Sequence, residues 1–119
     1  MKAIIFLFLT LPSMAMAANN KAHGSFLSGT DLLYVCTEDF KGWEDRLCAL
    51  YVEGASDGIG VSAHYFSDGS LPFCAPDRFT GTQLRKVVLK YLDEHPEELH
   101  LAATGLIMTA LIEAFPCEP

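Results

Sequence analysis

The stretch YVEGASDGIG, residues 51–60, decides the fold. Taken as a motif, Gly54-Ala55-Ser56-Asp57-Gly58 satisfies G-x-S-x-G, the serine-hydrolase nucleophile elbow, which needs a strand before the serine and a helix after it. Taken as spacing, Gly54 and Gly58 are four apart and share one face of a helix. The preceding residues, EDRLCALYVEG, are helical in period and rich in good helix formers. No βαβ alternation surrounds them, and without it the parallel sheet of a hydrolase cannot be built. Nor does a recognisable Asp-then-His arrangement follow Ser56. The stretch therefore reads as the middle of a helix. Glycines in a helix interior each cost up to about 1 kcal/mol relative to alanine, so Gly54 and Gly58 are expected to let another helix pack closely, within the fold or across a dimer.

Working outward, that helix runs from Trp43 to Phe66. Its expected core stripe is Leu47, Leu50, Tyr51, Gly54, Gly58, Val61 and Tyr65, at three- and four-residue steps. Before it, Ser28 or Thr30 can cap a short helix that carries Asp31 in its first turn and Leu32, Leu33 and Cys36 on its apolar side. The segment 37–42 is a polar loop. After it, Ser67-Asp68-Gly69-Ser70 and Leu71-Pro72 break the helix. Thr80 and Gln83 form a capping box for a third helix with Leu84, Val87, Val88, Tyr91 and Leu92. Pro96 opens a fourth, with Glu97 and Glu98 in its first turn and an apolar stripe from Leu99 to Phe115. The fold class is all-α: a small four-helix, antiparallel domain with short connections.

The ends narrow the setting. Lys2, the apolar run Ala3–Leu11 and Ala15-Met16-Ala17 have the layout of an export signal too short to span a membrane, with cleavage expected after Ala17. Residues 18–27 are expected to be a flexible lead-in, and residues 28–119 the helical domain. Losing Lys2 takes the 8 basic residues to 7 against 15 acidic ones, and the net charge from −7 to −8. That balance argues against nucleic acid and anionic membrane surfaces; it suits a basic protein partner, or, on charge alone the plainer reading, serves only to keep the protein soluble.

An even count of four cysteines in a small exported chain reads as two disulfides. No C-x-x-C and no structural-zinc spacing is present, so no metal and no cofactor is expected. In the four-helix layout Cys36 and Cys48 lie at one end of the bundle. The second helix is roughly 35 Å long, which puts Cys74 and Cys117 at the other. Cys36–Cys48 with Cys74–Cys117 is the pairing that avoids crossing the bundle. Chain entropy values the two bridges at about 3 and about 4 kcal/mol.

Other chemistry is thin. His95 reads as a cap residue, and His64 as a cation placed near a helix C-terminus. Asp93, Glu94, Glu97 and Glu98 form an acidic corner of the kind usually solvated. Phe40 and Trp43 read as core edge. The order of motifs then carries a likeness: C-x11-C-x2-Y-V-x-G-x2-D-G, F-C-x-P, YLDEHPE and AFPC, spaced from Leu32 to Cys117. The chain resembles the Rap/Tai family of small periplasmic proteins. The resemblance implies a helical, disulfide-bonded, often dimeric protein of the Gram-negative periplasm. It implies a non-enzymatic immunity function, blocking a type VI secreted peptidoglycan amidase by occluding its active site. The alternative is a general periplasmic structural or stress protein on the same scaffold. The expected contact surface is the loop 67–80, with Asp68, Phe73, Arg78 and Phe79 as partner-binding residues, tethered by Cys74.

Overall fold

A computed structural model describes residues 26–37 and 43–118, with the backbone alone for 43–45. The leader, the lead-in as far as 25, Phe40 and the side chain of Trp43 lie outside the described residues. Four α-helices are present among them: α1 (Gly29–Thr37), α2 (Trp43–Phe66), α3 (Gly81–Glu94) and α4 (Ala103–Ala114), with a 3-10 turn at Pro96–Glu98. No strand occurs there; the one β-type pairing is an isolated bridge between Ser28 and Ala102. Each helix touches the other three. All four contribute to one core, centred on Leu32, Val52, Val88, Leu92, Ile107 and Leu111.

The local signals act where the sequence puts them. Ser28 is the cap of α1: its hydroxyl accepts the Asp31 N–H at 3.2 Å. Its own N–H and hydroxyl donate to Asp31 Oδ2 at 2.9 and 2.7 Å. Those bonds, the hydroxyl's first, hold the Asp31 carboxyl below its ordinary pKa. Thr80 and Gln83 close the capping box of α3, Gln83 N–H to Thr80 Oγ1 at 3.3 Å and Thr80 N–H to Gln83 Oε1 at 3.0 Å. The last turn of α1 is closed from outside, where Arg85 Nη2 on α3 donates to the Cys36 carbonyl at 3.0 Å. α2 ends in a left-handed turn. The N–H groups of Ser67 and Gly69 both donate to the Ala63 carbonyl, at 3.0 and 3.1 Å, while Asp68 and Gly69 adopt φ of 53° and 89°.

Both disulfides form as the layout requires, Cys36–Cys48 and Cys74–Cys117, each with Cα atoms 4.9 Å apart. The first is buried in the core and the second lies at the surface.

Two expectations are corrected. The fourth helix does not start at Pro96. The 3-10 turn ends at Glu98, the chain turns and bends through Leu99–Leu101, Ala102 is extended, and α4 begins at Ala103. The cause is the segment before α1. Gly29 N–H donates to the Leu101 carbonyl and Thr30 N–H to the Leu99 carbonyl, both at 2.9 Å, while Ala103 N–H donates to the Leu27 carbonyl at 2.9 Å. Carbonyls needed to continue a helix are taken by another strand of chain. Gly29 makes this possible: a Cβ there would strike Leu106 Cδ1 and come within 3.0 Å of the Leu99 backbone. Leu27, at the end of the expected lead-in, packs against the core.

The second correction concerns the face of α2. The span is as expected, but the buried residues are Cys48, Val52 and Ala63, flanked by Tyr51, Ala55 and Ile59. Of the expected stripe, Leu47, Leu50, Gly54, Gly58, Val61 and Tyr65 face outward. Among the described residues nothing lies within 4 Å of a Cβ placed at Gly54 or Gly58, so neither glycine is in close contact with another described helix.

Candidate partner-binding surface

Ser56 is held in the interior of α2, its hydroxyl donating to the Val52 carbonyl one turn back at 2.8 Å. No strand precedes it, so the strained strand-to-helix turn that exposes a nucleophile is absent at this position. His64 lies two turns further along the same helix, edge-on to Tyr65 with ring centroids 5.2 Å apart. The G-x-S-x-G pattern is therefore a helical coincidence in this fold.

The loop between α2 and α3 is pinned along its length. Phe73 is 9 % exposed and belongs to the core. Cys74 N–H donates to the Phe115 carbonyl at 2.8 Å, next to the Cys74–Cys117 bridge. Phe79 meets Phe115 edge to face, centroids 4.8 Å apart. Both phenylalanines thus anchor the loop inward rather than presenting an apolar tip to a partner. Burial of an aromatic ring offsets the ordering entropy of a loop this polar. Asp68 and Arg78 are exposed. Asp68 keeps its left-handed backbone and accepts the Ser70 N–H at 3.3 Å.

What projects instead is the aromatic end of α2 with the first half of the loop. Phe66, Asp68, Leu71 and Pro72 are exposed, with Arg78 on the second half. Two open grooves flank α2 here. One of about 730 Å³ runs past Gly58, Ile59 and Leu71 to Met108 on α4. The other, of about 750 Å³, is lined by Asp57, Val61, His64 and Tyr65 and closed by Leu71 and Phe73. Phe66 and Leu71 were not singled out from the sequence.

The acidic corner is a structural tie. The Tyr91 hydroxyl donates to Glu98 Oε2 at 2.6 Å, and His95 stacks on the Tyr91 ring at 4.2 Å. Burial, then the bond to Glu98, push the Tyr91 phenol up to about 12. Glu97 is held low by its own backbone N–H and by His95, whose Nδ1 lies 3.4 Å from Glu97 Oε1. The His95 ring makes no cap hydrogen bond; its backbone N–H closes α3 onto the Tyr91 carbonyl. Donor atoms of His95, Glu97 and Glu98 come within 4.8 Å of one another, yet Glu98 is committed to Tyr91.

None of the described helices is long and apolar enough to cross a membrane. Two disulfides fit an oxidising compartment outside the cytosol. No curated relative and no solved structure matches the chain. The family model described as Rap1a immunity proteins matches residues 28–117, from the cap of α1 to the last cysteine. A match over all four helices and both bridges is a match to the whole described domain, and the chain belongs to the Rap1a immunity protein family.

Proposed function

We propose that this chain is a non-enzymatic periplasmic immunity protein that binds a type VI secreted peptidoglycan amidase and covers its active site. The observation that carries the reading is the family match across the entire disulfide-bonded domain. The surface supports it: Phe66 and Leu71 give exposed apolar anchors beside the charged Asp68 and Arg78, on a loop whose base is stapled by Cys74–Cys117. A loop already ordered before binding loses less entropy when it enters a cleft, which is how occluding inhibitors reach high affinity. The acidic balance of the chain favours a basic enzyme face.

The test is co-purification and inhibition with a small Cys/His amidase encoded beside this chain. A stable complex and loss of peptidoglycan cleavage are expected. Leu71→Asp with Arg78→Glu should weaken the complex by about tenfold or more while leaving thermal unfolding unchanged. Unaltered inhibition by that double variant rules the loop out. A neighbouring locus without any such enzyme, and no capture from periplasm, would favour a general periplasmic structural or stress role. Ser56→Ala is expected to leave inhibition intact.

A further inference from the structure

The two disulfides differ in what can reach them. Cys36 and Cys48 are 2 and 0 % exposed and belong to the core. An external thiol cannot meet that bridge while the helices stay packed. Cys74 and Cys117 are both exposed, so their bridge is open to attack in the folded protein. Thiol–disulfide exchange needs a thiolate to reach a bridge sulfur, and exposed bridges are the labile, regulatory kind.

What the outer bridge joins gives its opening a consequence. Cys74 stands in the loop 67–80 and Cys117 three residues past the end of α4, 43 positions apart in sequence. Non-covalent ties run beside the bridge: the Cys74 N–H to the Phe115 carbonyl, and Phe79 edge-on to Phe115. Phe73 is seated in the core, and the core cluster contains neither Cys74 nor Cys117. Breaking the S–S bond therefore spares the helices and removes only the covalent staple from the loop. The buried Cys36–Cys48 bridge meanwhile keeps α1 on α2, so the opened form holds the arrangement it needs to close again.

We propose that the Cys74–Cys117 bridge is a redox switch: a dithiol reductant opens it in the folded domain, loosens the loop 67–80 and weakens the hold on the partner. The last consequence rests on the proposed immunity reading; the first two do not. In the step, one thiolate of the dithiol attacks a bridge sulfur. The S–S bond breaks, a mixed disulfide forms, and the other cysteine leaves as a thiolate and takes a proton. The second thiol of the reductant, losing its proton, attacks the mixed disulfide. Two electrons pass to the protein, which ends with two cysteine thiols, and the reductant ends as a disulfide.

The test starts from the fully oxidised mature protein in graded dithiothreitol, quenched by alkylation and mapped by mass spectrometry, with circular dichroism on the same samples. Cys74 and Cys117 should be alkylated at reductant concentrations at least tenfold below those that expose Cys36 and Cys48, with the helical signal kept. At short labelling times, hydrogen exchange should rise across residues 67–80 in the opened form while α2 and α4 stay protected. Cys74→Ser with Cys117→Ser, open without reductant, should melt roughly 10 °C or more below the parent and still fold at 25 °C. That variant should inhibit the amidase about tenfold more weakly than the oxidised parent; if it does not fold, the opened and alkylated parent takes its place. Simultaneous reduction of both bridges, loss of helix as the outer one opens, or a loop equally protected in both forms overturns the switch. Equal inhibition by closed and opened forms overturns its link to the partner. An oxidised parent that inhibits nothing counts against the immunity reading instead, and the mapping and exchange still decide the switch.

Discussion

The two sides of α2 carry similar apolar residues at similar spacing, and their fates are opposite. Cys48, Val52, Ala55, Ile59 and Ala63 turn to the core, while Leu47, Leu50, Gly54, Gly58, Val61 and Tyr65 look outward. The outward side is the richer in large side chains. What separates the two is the identity of the inner residues. They are small or β-branched, and Cys48 is fixed to α1 by a disulfide. A helix pressed against three others is crowded, and crowding selects short side chains. Hydrophobic periodicity reports that a face is apolar; it does not report what covers it.

The largest expected effect comes from charging the inner side. Val52→Asp, which buries an unpaired carboxylate, should cost about 3 kcal/mol or more or prevent folding, whereas Leu50→Asp on the outer side should change monomer stability by no more than about 0.5 kcal/mol. Urea unfolding at low protein concentration checks both, and equal losses would mean that both faces are packed within one chain.

Next is the contrast between a crowded glycine and an open one. Gly29→Ala forces a Cβ against Leu106 and the Leu99 backbone and should cost about 1–3 kcal/mol. Gly58→Ala meets nothing among the described residues and should stabilise the monomer by about 0.5–1 kcal/mol. The two melting-temperature shifts should differ in sign.

Smaller effects belong to titration. The raised Tyr91 pKa means that the folded state keeps its phenolic proton above the ordinary value of 10.0. That contribution is complete below pH 10 and is lost as pH rises towards about 12, so Tyr91→Phe should flatten the alkaline decline in stability. Asp31 acts with the opposite sign. Its lowered pKa stabilises the fold above its ordinary 3.8 and ceases to do so as pH falls through the folded value. Asp31→Asn should reduce the steepness of the acid limb by the smallest margin of the set, because the group is exposed.

Much of the fold was legible because it rests on local chemistry. The ends of α2 and the Thr80–Gln83 box follow from residues within four positions of each other. The pairing of the cysteines follows from helix lengths. The candidate surface was legible only in part. Asp68 and Arg78 stand where a polar loop would put them, but Phe73 and Phe79 turned inward because Phe115 and the core lie beneath the loop, a neighbourhood created by a residue more than thirty positions away. The late start of α4 has the same origin. Pro96, Glu97 and Glu98 do open a turn, and the Leu27–Thr30 segment then takes its carbonyls.

By itself, then, the amino-acid order determined four amphipathic helices, the caps of the first and third, and two covalent links. Those depend on interactions within a turn, or on chain length, and need no knowledge of neighbours. Only the tertiary structure decided which side of α2 is inside, where α4 begins, and which aromatic residues stay exposed. Each is a competition between surfaces of comparable hydrophobicity, or between hydrogen-bond partners distant in the chain. Such a competition is resolved by what else the packed helices bring to the same place.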